Sequence, residues 1–332
     1  MRHYNIPIFI PELACPNRCI YCNQQNISGQ LFLPSKEEII EKINSHLLSF
    51  KRPYIAEVAF FGGNFTGIEI EKQINYLELV QPYIKNKDIE SIRISTRPDY
   101  INKDILDILK QYNVKTIELG AQSLCQDVLD FSERGHSVED VEKAAKLIND
   151  NGFELGLQMM IGLPLDTLEK SILTANKIIH LGAKSTRIYP TLVIEDTKLA
   201  QMYEQGVYKS LSLEEAVDWC SKIYPIFHDN NITILRVGLH PSEALINSKD
   251  LVAGAFHVSF RELVLTKIWE EKLLAIESNN SKSVIISVCS KSINQAIGYY
   301  SQNKNLLKNR FKAVKFKSDN NLKEFEFNYI LE

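Results

Sequence analysis

Up to about residue 240 the chain repeats one pattern: an apolar strand, a short loop and an amphipathic helix. Strand candidates are Ile6–Ile10, Ala56–Phe61, Ser91–Ser95, Thr116–Gln122, Glu154–Ile161 and Ser185–Pro190. Helical periods fall at about 35–50, 70–84, 103–112, 138–151, 167–181 and 213–230. Pro34-Ser35-Lys36-Glu37-Glu38 reads as a capped helix start, with Ser35 as N-cap and Glu38 three residues on. Strand–helix units joined by short loops predict a parallel sheet with right-handed crossovers. Six such units fall short of the eight that close a barrel. The expected fold class is therefore α/β, an open partial (β/α)6 barrel over residues 1–240.

From Ile234 to Ser259 the rhythm breaks, with Gly238, His240-Pro241 and Gly254. Residues 241–277 read as a connector that ends in a long helix, about Phe260 to Ile276. Residues 278–332 read as a small α/β module. A loop at Ser278-Asn279-Asn280-Ser281 precedes strand Ser283–Cys289 and helix Ser292–Ile297. The turn Gly298-Tyr299-Tyr300-Ser301 leads into helix Gln302–Asn309, then strands Phe311–Lys317 and Leu322–Ile330. Ser278 to Ser318 contains eight basic residues and no acidic one, leaving 30 basic against 41 acidic elsewhere. One end is thus a basic module on an acidic body.

No apolar run approaches the roughly 18 residues of a membrane span, and Met1-Arg2-His3-Tyr4 has no apolar leader. The expected compartment is the cytoplasm, with no membrane partner. Of the six cysteines, Cys125, Cys220 and Cys289 are scattered singly and read as core or surface thiols. The other three lie together in Cys15-Pro16-Asn17-Arg18-Cys19-Ile20-Tyr21-Cys22, a C-x3-C-x2-C loop after the first strand. Active sites of parallel barrels are built at that end of the strands. Three thiolates hold three irons of a cubane, whereas a structural cluster takes four cysteines, so one iron is left open to a small molecule. The alternative, zinc, prefers four ligands in paired spacings. The one histidine nearby, His3, lies before the strand.

Further motifs end the later strands. They are Phe60-Phe61-Gly62-Gly63-Asn64-Phe65-Thr66, Ile94-Ser95-Thr96-Arg97-Pro98-Asp99-Tyr100 and Glu118-Leu119-Gly120-Ala121-Gln122-Ser123. Arg134-Gly135-His136-Ser137 and Met159-Met160-Ile161-Gly162-Leu163-Pro164 follow. Together with the cysteine loop they resemble the radical S-adenosylmethionine (SAM) superfamily, and within it the radical SAM domain of the Elongator catalytic subunit, over residues 5–240. That subunit has a longer gap between its first two cysteines; this loop has the common superfamily spacing.

The resemblance implies that Cys15, Cys19 and Cys22 ligate a catalytic [4Fe-4S] cluster whose open iron is chelated by SAM. It implies reductive cleavage of SAM to a 5′-deoxyadenosyl radical, with an electron from a donor such as flavodoxin or ferredoxin. Tyr21 resembles the aromatic residue beside the adenine. The Gly62-Gly63 carbonyls are expected to meet the SAM amino group, with Asn64 where the family often has Glu or Thr. Ser95 and Arg97 end the strand that contacts ribose and carboxylate. Arg97 could equally pair with Asp99, since either carboxylate matches a guanidinium. Gln122 and Gln158 are amides in apolar strands, which need a ligand or neighbouring strands as partners. Arg134-Gly135-His136 suits a substrate pocket or a helix-start loop.

The basic module resembles a KH domain, particularly the KH repeats of the transcription factor NusA, in which a G-x-x-G turn clamps nucleic acid. Ser301 stands where the second glycine would be, and Tyr299 and Tyr300 offer faces for stacking on bases. RNA, tRNA foremost, is the substrate expected. The alternatives are radical chemistry on a small molecule, as in oxygen-independent coproporphyrinogen oxidases, and a scaffold or redox sensor. Nothing in the chain resembles Elongator's acetyltransferase domain, so acetyl transfer is not expected.

Overall fold

The computed structural model describes residues 2–11, 15, 19–23, 32–239, 250–277 and 282–332. Residues 16–18 of the cysteine loop, His240-Pro241 and the expected loop at 278–281 lie outside the described residues.

Seven strands form one parallel sheet. In order across it they are β1 (Arg2–Ile10), β2 (Tyr54–Gly62), β3 (Ser91–Thr96), β4 (Val114–Gln122), β5 (Glu154–Ile161), β6 (Ser185–Pro190) and β8 (Thr233–Val237). The six expected strands are all present. The seventh, β8, is not among the expected strands, because the strand–helix rhythm breaks in the sequence from Ile234. Its residues number only five, with Ile234 and Val237 buried and the other three exposed or half-exposed. Pairing with β6, Ser185 against Thr233 and Ile188 against Val237, makes them a strand.

The crossover helices are α1 (Lys36–Ser49), α2 (Ile70–Lys85), α3 (Lys103–Gln111), α4 (Gln126–Phe131), α5 (Val138–Asp150), α6 (Leu168–His180), α7 (Lys198–Glu204) and α8 (Leu213–Asp229). Their starts are set locally. Ser35 and Glu38 form the expected capping box on α1, and Ser137 with Asp140 and Ser212 with Glu215 repeat it on α5 and α8. The longer helices then turn one apolar stripe to the sheet, as α3 does with Ile105, Leu106 and Leu109. The strands supply the other half of the core, including Ile6, Ile8, Val58, Phe60, Ile94, Ile117, Leu157 and Ile188.

A short antiparallel pair, β7 (Leu192–Ile194) with β9 (Leu251–Gly254), extends from the end of β6. Helix α9 (Phe260–Leu274) then joins two cores. Phe260, Val264, Leu265 and Ile268 pack into the main one, while Trp269 and Leu273 pack into a second. That second core belongs to the C-terminal module: β10 (Ser283–Val288), α10 (Ile293–Ile297), α11 (Gln302–Lys308), β11 (Ala313–Ser318) and β12 (Phe327–Leu331). β10 is central, parallel to β11 and antiparallel to β12. The order strand, helix, turn, helix, strand is the one expected from the sequence, with the last strand beginning five residues later than Leu322. No described helix is long and apolar enough to cross a membrane.

Candidate active site

Parallel strands place all their C-terminal ends on one rim, so residues far apart in sequence meet there. A cavity of about 270 Å³ opens at that rim, walled by Tyr21, Cys22, Gly62, Ser95, Gln122 and Gln158 together with Phe9, Met160, Arg187, Tyr189 and Ile194. Six of the residues singled out from the sequence therefore share one space. Cys15, Cys19, Gly63, Asn64 and Arg97 do not line it.

The cysteine loop is tied down at several points. The Ile20 amide donates to the Ser132 carbonyl at 3.2 Å, and the Ile20 carbonyl accepts from the Leu199 amide at 2.8 Å. The Asn23 side chain donates to the Glu195 carbonyl. Cys19 is buried, and Cys15 and Cys22 are partly exposed. The Arg134 Nη1 group points at Cys19 Sγ, 3.5 Å away. The Tyr21 hydroxyl is buried beside Cys19 and, among the described residues, makes no hydrogen bond of normal geometry. Burial, and then the charge of the Cys19 thiol, push the Tyr21 phenol well above its ordinary range.

Gly62 has φ +116, and an added Cβ would lie 2.5 Å from the Ile10 carbonyl oxygen and 2.6 Å from the Phe9 ring. Only glycine fits that cradle. The Gly63 amide donates to the same Ile10 carbonyl at 2.7 Å, locking the turn to β1. Asn64 is fully buried behind it, and its Oδ1 accepts from Thr96 Oγ1 and the Arg97 amide. Arg97 takes the second of its two expected roles. Its Nε and Nη2 donate to the two Asp99 oxygens at 2.9 Å, and its Nη1 donates to the Arg134 carbonyl. It is a buried strut beneath the rim, not part of the cavity wall.

Gln158 is likewise satisfied by neighbouring strands, donating to Glu118 at 3.0 Å and to Ser95 Oγ at 3.4 Å. Glu118 is the centre of a polar network that the sequence analysis missed. Its oxygens accept from Arg93 Nη1 at 3.0 Å and from Arg187 Nε and Nη2 at 2.6 and 3.1 Å. Arg93 also pairs with Glu57. Burial would raise the Glu118 carboxyl, but Arg187 and then Arg93 outweigh it and hold it below the ordinary range. The available signal was period two: charged residues alternate with Ile92, Ile94, Ile117 and Leu119 along β3 and β4, placing them inside the barrel.

Arg134 and His136 are both buried between α4 and α5, under the cysteine loop rather than on the cavity wall. Arg134 Nη2 donates to the Gly120 carbonyl at 3.0 Å. His136 is held neutral, its pKa lowered to about 3 by burial and then by Arg134 and Arg97. Cys125, Cys220 and Cys289 are buried thiols, as expected.

Among the described residues, no three His, Cys, Asp or Glu side chains are gathered into a metal-sized cage. The fit of the loop to an iron–sulfur group rests instead on three thiols in one short segment, a guanidinium on one sulfur and the glycine cradle next to them. That donor set suits a cluster with one open iron, and the adjoining cavity provides room for a ligand of that iron.

Comparison with known proteins agrees. Residues 183–270 match the Radical_SAM C-terminal domain. An uncharacterized protein of Methanocaldococcus jannaschii is 32% identical over 209 residues, 61% of either chain. The tRNA uridine(34) acetyltransferase of the same organism is 29% identical over 182 residues, 49% of this chain and 34% of that one. Human Elongator complex protein 3 is 32% identical over 180 residues, 53% of this chain and 32% of that one. This chain thus spans between 32% and 61% of the length of these relatives. The fold is shared with the structure of archaeal Methanocaldococcus infernus Elp3 lacking residues 1–46. The TM-score is 0.64 at 24% identity, over 81% of this chain and 63% of that one. The Radical SAM superfamily model itself spans residues 10–177, more than half of the chain, and by that measure the protein belongs to the radical SAM superfamily.

Proposed function

We propose that this radical SAM enzyme modifies RNA, with tRNA as the foremost substrate. Its cofactors are those of its family, a [4Fe-4S] cluster and SAM. In this reading Cys15, Cys19 and Cys22 hold the cluster, and Tyr21, Gly62, Ser95, Gln122 and Gln158 receive SAM in the cavity. Gly63, Asn64 and Arg97 act behind the wall, fixing the turn and the end of β3. The cluster and SAM together supply reductive cleavage of SAM to a 5′-deoxyadenosyl radical, the hard step of the reaction. The chain's own residues orient the ligands, and Leu192 and Ile194 of β7 give the cavity an apolar wall. An external one-electron donor of the flavodoxin or ferredoxin type completes the reading.

The observation that carries RNA is the C-terminal module. Lys308, Lys312, Lys315 and Lys317 are exposed and, among the described residues, have no carboxylate partner. They follow a turn in which Gly298 has φ 86, Tyr300 φ 48 and Ser301 φ 62. Tyr300 is 86% exposed and meets Tyr299 edge to face at 4.5 Å. Cations without carboxylate partners, in the same small module as an exposed aromatic, suit a single-stranded nucleic acid, by phosphate neutralisation and base stacking. Arg310 is not part of that surface, because it donates to the Leu274 and Ile276 carbonyls. The strand–helix–turn–helix–strand order keeps the KH-like reading, with Ser301 adopting the conformation that the motif's glycine would. The tRNA uridine(34) acetyltransferase and Elongator relatives point the same way.

The test is anaerobic. The cluster is reconstituted, dithionite and SAM are added, and 5′-deoxyadenosine is measured with and without bulk tRNA. Product that rises with tRNA supports RNA as substrate. Product indifferent to tRNA keeps the radical chemistry and turns the search to small molecules. No product from protein with a verified four-iron cluster removes the enzymatic reading.

A further inference from the structure

We propose that Arg134 sets the reduction potential of the cluster, by placing a fixed positive charge and an N–H donor on the sulfur of Cys19. The inference rests on the reading of Cys15, Cys19 and Cys22 as cluster ligands. Arg134 is 7% exposed, and its Nη1 group lies 3.5 Å from Cys19 Sγ. Its position is determined on three sides. Nη2 donates to the Gly120 carbonyl at the end of β4, its amide donates to the Leu129 carbonyl, and its own carbonyl accepts from Arg97 Nη1. Arg97 is in turn clamped by both oxygens of Asp99.

A buried guanidinium needs an anion. Among the described residues no carboxylate pairs with Arg134, and Asp99 is already engaged by Arg97. The group that Arg134 does reach is a thiol of the cysteine loop. Bound to iron that thiol is anionic, which gives the guanidinium its counter-charge. The potentials of iron–sulfur clusters follow net charge, hydrogen bonds to sulfur and exposure. One electron from the flavodoxin- or ferredoxin-type donor adds one negative charge to the cluster. A fixed cation and a donor at Cys19 favour that reduced state, so they raise the potential. Arg134 acts through Cys19 and is a positioning residue, not a catalytic one.

The experiment compares wild type, Arg134→Lys and Arg134→Gln as full chains reconstituted with iron and sulfide. Iron is counted, and the midpoint potential is read by redox titration followed by electron paramagnetic resonance, without SAM. For R134Q the reduced-to-oxidised ratio at a fixed solution potential falls about tenfold, a shift of about 59 mV for a one-electron couple. For R134K, which keeps the charge, the ratio stays within about threefold of wild type. A four-iron R134Q with an unmoved midpoint overturns the proposal. Should R134Q hold no cluster, Arg134→Met decides on the same readout: a tenfold fall in the ratio sustains the proposal, and an unmoved midpoint overturns it. A wild-type chain with no four-iron spectrum removes the reading of the cysteines, and this inference with it, which is a different failure from an unmoved potential.

Discussion

A single atom, Asn64 Oδ1, accepts the Thr96 hydroxyl at 2.6 Å and the Arg97 amide at 3.2 Å, tying the glycine turn of β2 to the end of β3. Asn64→Leu keeps the volume and removes the acceptor. It leaves the buried Arg97 amide short of a partner, while the Thr96 hydroxyl can still turn to Thr66 Oγ1 2.5 Å away, at a cost of about 1–3 kcal/mol. Urea denaturation measures the loss, and an unchanged midpoint would show that the latch is incidental.

Gly62→Ala puts a methyl group where the Ile10 carbonyl and Phe9 ring already stand, at a backbone φ of +116. Strain of about 1–3 kcal/mol must be relieved by moving the turn. The expected result is SAM binding weakened by roughly 5- to 150-fold in the reconstituted protein, following from the same energy. Equilibrium dialysis against SAM checks it.

Glu118→Gln removes the one charge that Arg93 and Arg187 share and turns an amide N–H₂ toward their N–H groups. Breaking a buried pair from one side costs about 3–5 kcal/mol. A loss under about 1 kcal/mol in chemical denaturation would mean that the arginines find other partners.

His136 should make the fold acid-sensitive. The unfolded chain binds this proton near pH 6.5, and the folded chain only near about 3. Between those values the unfolded state holds more protons, so stability falls as pH falls, by about 1.4 kcal/mol per pH unit. His136→Gln abolishes this contribution. The difference in unfolding free energy between variant and wild type should therefore change with pH below about 6 and be constant above about 7.5. Equal pH slopes would contradict the assignment of His136 as a buried neutral ring.

Tyr300 separates folding from binding. Its φ of 48 suits glycine better than an aromatic residue, and its ring is almost wholly exposed. Tyr300→Gly should leave the melting temperature unchanged or slightly higher. It should weaken tRNA binding by about 1–3 kcal/mol if a base stacks there. Native gel shifts at low salt read the binding, and undiminished affinity would remove Tyr300 from the interface.

What could be read from the sequence was whatever neighbouring residues determine among themselves. Apolar runs separated by amphipathic periods give β1 to β6 and their helices, because burial of a face depends on local spacing. Ser35 and Glu38 cap α1 across three residues, and the C-x3-C-x2-C loop needs only its own spacing to suggest a cluster with an open iron.

Tertiary structure decided which groups are partners. Nothing local distinguishes an Arg97 that meets Asp99 from one that meets a ligand; the choice followed from where the end of β3 lies relative to Arg134. Glu118 draws its donors from β3, β5 and β6, and Arg134 reaches a cysteine 115 residues earlier. β8 is a strand only because β6 offers it a ladder. The physical reason is common to all of these. Hydrogen bonds and charge pairs inside the barrel are contacts between strands, and the curvature of the parallel sheet determines which side chains are near enough to make them.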